Sequence, residues 1–295
     1  MAQGGHTFQL LRGVNSIDLT DGTNYTLLSF DGLGMAPNHR LSQRGPFQDG
    51  ETDVGYRLDP RTVLLSFAMH GEYTTLASNR AALLGFCKPG ASTDPLKLRW
   101  TMPDGTQRQI DCHHGGDLSL PSNAWFQKHH RAVLSLRCPD PTLYDPTGTS
   151  VQFAQTGGST GMAVPMAVPF TLGASTLDVT QAITLDGANA WDTYPIIYIT
   201  GPVTSPVITN SATGEKLDFT GYSVGSGDTY TIDLRYGAKT VVDSSSANQT
   251  YKLTTDSNLA TWRLVPGANS IRATGTSITG ATSILIQFNQ RYIGV

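Results

Sequence analysis

The residues most capable of chemistry lie between positions 112 and 138. Cys112-His113-His114 precede His129-His130 and Cys138, and four zinc ligands could be drawn from that set. Structural zinc sites take their ligands from short paired loops, and no Cys-x-x-Cys knuckle is present. On a strand, Cys112 and His113 point to opposite faces, so adjacency works against joint ligation. No metal or cofactor is expected. Nucleophilic catalysis has no better footing, since no Gly-x-Ser-x-Gly elbow joins a strand to a helix and no Cys/His pair carries a protease signature. Glycoside cleavage needs two carboxylates in contrasting environments. Here the aspartates sit in turn contexts such as Asp31-Gly32, Asp49-Gly50 and Asp186-Gly187. The glycine-rich run at 157–161 lacks the lysine of a phosphate-binding loop. The chain is not expected to be an enzyme.

Two binding chemistries remain. Aromatic rings on a β-sandwich can stack on sugars, and Trp191, Tyr222 and Trp262, with Tyr194 and Tyr251, are the candidates. Core or interface packing explains most of them more simply. A long polar excursion over residues 34–60 carries Arg40, Arg44, Arg57 and Arg61 against Asp49, Glu51, Asp53 and Asp59. A segment of that length in a compact domain is usually functional, wrapped on a partner or disordered.

Such residues must be positioned by something, and the composition says by strands. Glutamate occurs only at Glu51, Glu72 and Glu215, against 20 aspartates, and 31 glycines and 16 prolines are spread throughout. Glu favours helices whereas Asp, Gly and Pro favour turns, so the skew predicts a mainly β chain. The net charge of −3 suggests no broad basic face for nucleic acid. Three cysteines cannot all pair and read as buried thiols of a protein made in a reducing compartment. No apolar run approaches the ~20 residues that span a bilayer, and the amino terminus lacks the pattern of a signal peptide.

The length of 295 residues fits two domains. The first is placed at 1–145. Val63, Leu65, Phe67 and Met69 alternate with Leu64, Ser66, Ala68 and His70 to give one apolar strand face. Residues 97–112 form a hairpin about Pro103-Asp104-Gly105. The one predicted helix covers 75–87, with Leu76, Leu83, Leu84 and Cys87 inward, Arg80 outward, Thr74 or Thr75 as cap and Gly90 closing its end. Residues 146–190 are read as linker and first strands, and 191–295 as a second β-sandwich domain. There the apolar run 196–199 predicts a central strand covered on both sides. Leu217, Phe219, Tyr230, Ile232, Leu234, Tyr236, Ile284, Ile286 and Phe288 are assigned to one inward face.

The order of these signals resembles the distal tail proteins of long non-contractile-tailed bacteriophages. The likeness rests on Phe30-Asp31-Gly32-Leu33-Gly34, Pro46, Gln48-Asp49-Gly50-Glu51 and Arg61 in the first half. In the second half it rests on Asp186-Gly187-Ala188-Asn189-Ala190, Tyr194-Pro195, Ile199-Thr200-Gly201, the run from Pro206 to Asn210, Thr213-Gly214-Glu215, Asp233, Trp262, Leu264, Pro266-Gly267 and Asn269. The resemblance implies a tail-tube-like first domain with one helix, a galectin-like second sandwich and no catalytic residues. It implies a virion protein of the tail tip, a homo-oligomer of six copies around an open lumen. Its partners would be the tail tube protein, the tail hub with its lysin or fibre protein, and the genomic DNA in passage. In such a ring Arg40, Arg44, Asp49, Glu51, Arg57 and Arg61 are the expected subunit contacts. The competing function is a carbohydrate-binding module or receptor-binding adhesin.

Overall fold

The computed structural model describes residues 3–89, 95–120, 129–154 and 176–295. The chain is mainly β and divides into two compact units, residues 1–146 with 291–295, and residues 147–290.

In the first unit every described strand pairing is antiparallel. One sheet runs in the order Arg291–Tyr292, Leu143–Tyr144, Gln107–Ser119, Leu96–Thr101, Thr7–Arg12, Asn15–Asp18. A second joins Tyr25–Asp31, Arg61–His70 and His129–Cys138 to the far half of Gln107–Ser119, so one long strand serves both sheets. The alternation predicted for residues 63–70 holds: Val63, Leu65, Phe67 and Met69 are fully buried while Leu64 stays exposed. Gly105 takes φ +84 in the expected hairpin turn, where the Asp104 carboxylate accepts the Thr106 N–H.

The helix spans Tyr73–Cys87, two residues earlier than expected. Glu72 stands at its N-cap with no side-chain cap hydrogen bond, so neither Thr74 nor Thr75 performs that role. Leu76, Leu83 and Cys87 face the core, but Leu84 is exposed. Arg80 is half-buried and donates to the Leu120 carbonyl rather than facing solvent. Gly90 lies outside the described residues.

The second unit is a sandwich of two antiparallel sheets. One orders Thr149–Phe153, Ser283–Phe288, Ile196–Thr200, Thr229–Asp233 and Thr240–Val242. The other orders Thr176–Leu185, Gly267–Thr276, Val203–Asn210 and Glu215–Asp218, with Ser223–Val224 also on Val203–Asn210. Residues 196–200 are central in their sheet, but only Ile197 and Ile199 are fully buried. Ile196 and Tyr198 are half-covered, so one face packs inward and the other does not. Tyr236, assigned to the inward face, is 68% exposed because the strand ends at Asp233 and the alternation ends with it.

The turn motifs of this unit are architectural. Asn269, fully buried, donates to the carbonyls of Ile183, Val265 and Gly267 and accepts from the Val265 N–H and from Asn210. Asn210, also buried, donates in addition to the Arg263 carbonyl. Two buried amides so paired satisfy the Arg263, Val265 and Gly267 carbonyls and the Val265 N–H. At Gly201 a Cβ would lie 2.1 Å from the Gly225 carbonyl oxygen, so only glycine fits.

Candidate assembly site

The excursion at 34–60 is a hairpin arm. Its strands, Asn38–Gln43 and Thr52–Leu58, pair from Asn38↔Leu58 to Gln43↔Thr52 and form a two-stranded sheet of their own. All of Asn38–Gln43 is exposed, as is nearly all of Thr52–Leu58. Without a buried face there is no apolar alternation, which is why the sequence showed only polarity here. An isolated two-stranded hairpin is marginal at best in water.

The tip is a turn closed by Gln48, whose N–H reaches the Gly45 carbonyl and whose side chain bonds the Gly45 N–H and the Thr52 hydroxyl. This turn holds Phe47 at φ +63 with its ring wholly exposed. A bulky residue in the left-handed region costs backbone energy, and a bare aromatic ring forgoes the burial that would offset it. Leu41, Val54 and Tyr56 add further exposed apolar surface along the strands.

The expected contact charges divide by environment. Arg40 pairs with Asp53 at 2.6 Å, Arg57 with Asp59 at 3.6 Å, Ser42 holds Glu51 at 2.6 Å, and Arg44 donates to the Gln48 carbonyl. Asp49 is exposed at the tip. The Arg40–Asp53 side chains are 68% and 57% exposed, so that pair contributes little to stability. Arg61 does not belong with them. It is 1% exposed, and its guanidinium donates to the carbonyls of Gly32, Gly34 and Ile293 at 3.2, 3.1 and 2.7 Å. Burial lowers its pKa, and the negative groups nearby oppose that shift. Arg61 is the internal anchor of the arm's root. The Ala36 N–H bonds the same Ile293 carbonyl, and the Asp59 N–H bonds the Pro37 carbonyl. Gly32 turns the chain into the arm at φ +88, where a Cβ would meet the Thr62 carbonyl oxygen at 2.1 Å.

The aromatic candidates also separate. Trp262 is fully buried in the sandwich core and cannot meet a sugar, and Trp191 is half-buried. Tyr222 remains exposed beside Tyr251, ring centroids 6.3 Å apart and edge to face, with the Lys252 ammonium 5.8 Å from the Tyr251 ring. A second aromatic pair joins Tyr194 and Tyr236 through their hydroxyls at 2.8 Å, with Lys239 4.4 Å over Tyr194. Burial lowers the Lys239 pKa, opposed by Glu215 and Asp233.

The imagined zinc set does not assemble. Cys112 and Cys138 are buried in the core, and the Cys112 thiol donates to the Leu96 carbonyl. Contact with Cys138, then burial, pushes the Cys112 thiol up, and burial takes Cys87 to about 11. These are inert thiols rather than ligands or nucleophiles. Among the described residues no three His, Cys, Asp or Glu side chains come together as a metal site. No helix there is long and apolar enough to cross a membrane.

Residues 188–292 match the family described as siphovirus-type tail component, C-terminal domain. A search of the curated proteins finds no match. Among solved structures, the Dit protein of phage SPP1, described as a paradigm of the hub adsorption apparatus in phages infecting Gram-positive hosts, superposes with a TM-score of 0.63. It shares 14% identity, and the match covers 97% of this chain and 99% of that one. A chain of the phage P2 baseplate in its activated conformation with Ca gives a TM-score of 0.53 at 9% identity, covering 98% and 99%. These relatives are structural tail and baseplate proteins, not enzymes. Residues 188–292 thus carry the sequence pattern of a siphovirus-type tail component, and the fold over nearly the whole length is that of the SPP1 Dit protein.

Proposed function

We propose that six copies of this chain close into a ring at the distal end of a phage tail, linking the tail tube to the hub and fibre complex around a lumen for DNA. The observation that carries this reading is the arm. It has no partner surface in its own sheet and bears a strained, bare Phe47, and it presents Leu41, Val54 and Tyr56 to solvent. A closed ring needs a heterologous contact, one patch meeting a different patch on the next copy, and a projecting hairpin supplies one half of it. The arm's own charges are largely paired, so apolar burial and strand edges, rather than charge, drive the contact. A net charge of −3 suits a conduit that must not hold phosphate. Three free, buried thiols fit synthesis in the reducing host cytoplasm before incorporation into the virion.

Native mass spectrometry with negative-stain microscopy tests the reading. The full chain is expected as a ring with a central hole, and deletion of residues 43–54 is expected to leave folded monomers. A ring that survives the deletion removes the arm from the contact, and a monomeric wild type removes the ring. A second reading, sugar binding by the sandwich, is favoured by the exposed Tyr222–Tyr251 corner. Binding of the full chain to host wall material that is lost in Tyr251→Ala would support it.

A further inference from the structure

We propose that His70 and His129 form a two-histidine site for a divalent transition-metal ion of the Zn2+, Ni2+ or Cu2+ class. The two residues stand directly opposite each other where Arg61–His70 pairs with His129–Cys138. Cross-strand partners of this kind have Cβ atoms about 4.5–5.5 Å apart, so two imidazoles can meet without any backbone movement. Here they do meet: Nδ1 faces Nδ1 at 2.6 Å, with ring centroids 4.8 Å apart and planes at 76°. Two ring nitrogens approach so closely only when they share a proton or turn both lone pairs toward one cation.

The surroundings favour the cation. The second nitrogen of His70, Nε2, lies 2.9 Å from the Thr26 hydroxyl. With that oxygen accepting, the proton sits on Nε2 and the Nδ1 lone pair is free. Metal-bound histidines are held in the same way, the far nitrogen donating to a neighbouring group that fixes tautomer and ring orientation. Asp21 lies close enough to add negative potential at His70. It is not itself a ligand, because Oδ1 accepts the N–H groups of Thr23, Asn24 and Tyr25 and Oδ2 accepts from the Asn24 amide.

Donor chemistry sets the class of ion. Imidazole nitrogens suit zinc, nickel and copper, whereas calcium and magnesium take oxygen. Two nitrogens each about 2.0–2.1 Å from one ion lie about 3 Å apart, a sub-ångström opening from the present contact. The His129 ring is exposed, which leaves the remaining coordination positions to water. A bound ion would tie the end of one core strand to the start of its neighbour and stabilise the first unit through linkage. The pairing is independent of ring formation. It also differs from the ligand set suggested by the sequence, which contained His129 but had no means of joining it to a residue 59 positions away.

Cu2+ titration of the full, tag-free chain, followed by electron paramagnetic resonance and repeated calorimetrically with Zn2+, is the test. One ion per chain is expected, with the copper spectrum showing coupling to two imidazole nitrogens. His70→Gln and His129→Gln should each abolish the site, while His113→Gln retains it. Thr26→Val should weaken binding about tenfold through loss of the orienting oxygen. His129 is exposed, so its variant keeps the fold, which circular dichroism verifies. No stoichiometric binding by the wild type, or equal binding by folded His129→Gln, overturns the proposal and leaves the contact as a proton shared between two rings.

Discussion

The arm of the first unit and the turn network of the second draw on similar residues, Asn, Asp, Gly, Thr and Arg, and use them in opposite ways. Around Asn210 and Asn269 the polar groups are buried and every amide is committed to backbone nearby. Along 38–58 the polar groups are exposed, paired with one another, and accompanied by bare apolar side chains. The buried pattern stabilises a fold by satisfying atoms that water cannot reach. The exposed pattern leaves apolar surface uncovered, which the proposed ring contact would cover. Substitutions in the two regions should therefore separate folding from assembly.

The largest effect is expected at the buried network. Asn269→Leu strips partners from three carbonyls and two donors, and each orphaned group costs about 1–3 kcal/mol. The second unit should melt well before the wild type in calorimetry. A change within error would show that the amide pair is not holding the sandwich. Next comes Arg61→Met, which removes the guanidinium donors to Gly32, Gly34 and Ile293 at the arm root. A loss of about 2–4 kcal/mol is expected, with faster amide exchange over 34–60. Unchanged exchange there would break the link between root and arm. Phe47→Gly should reverse the sign: relief of the left-handed strain raises stability by up to about 1 kcal/mol, while ring assembly falls. Strengthened assembly would mean that the ring of Phe47 does not meet a neighbour. The smallest effect is at Arg40→Ala, within about 0–1 kcal/mol, because that ion pair is solvated. A larger loss would show the pair to be buried in the assembled state.

Much of the fold was legible because the core obeys simple periods. Alternation located residues 63–70, the Asp-Gly signal located the 97–112 hairpin, and the glutamate deficit gave the β class. Period also misled: alternation carried Tyr236 inward past the end of its strand at Asp233, and helical spacing placed Leu84 inward on a face that stays exposed. The site was harder. Arg61 reads as one more charge of a charged loop, yet its burial follows from carbonyls supplied by Gly32, Gly34 and Ile293, one of them 232 residues away. Trp262 reads as a sugar platform until the sandwich closes over it.

By itself the sequence determined the β class, the thiol chemistry, the turn positions and the family likeness, because these depend on local backbone preferences and on glycines that tolerate no Cβ. Tertiary structure alone decided which polar groups are spent internally and which are offered outward. That division depends on distant carbonyls and strand partners: it buried Arg61 and Trp262, left Phe47 bare, and set His70 against His129.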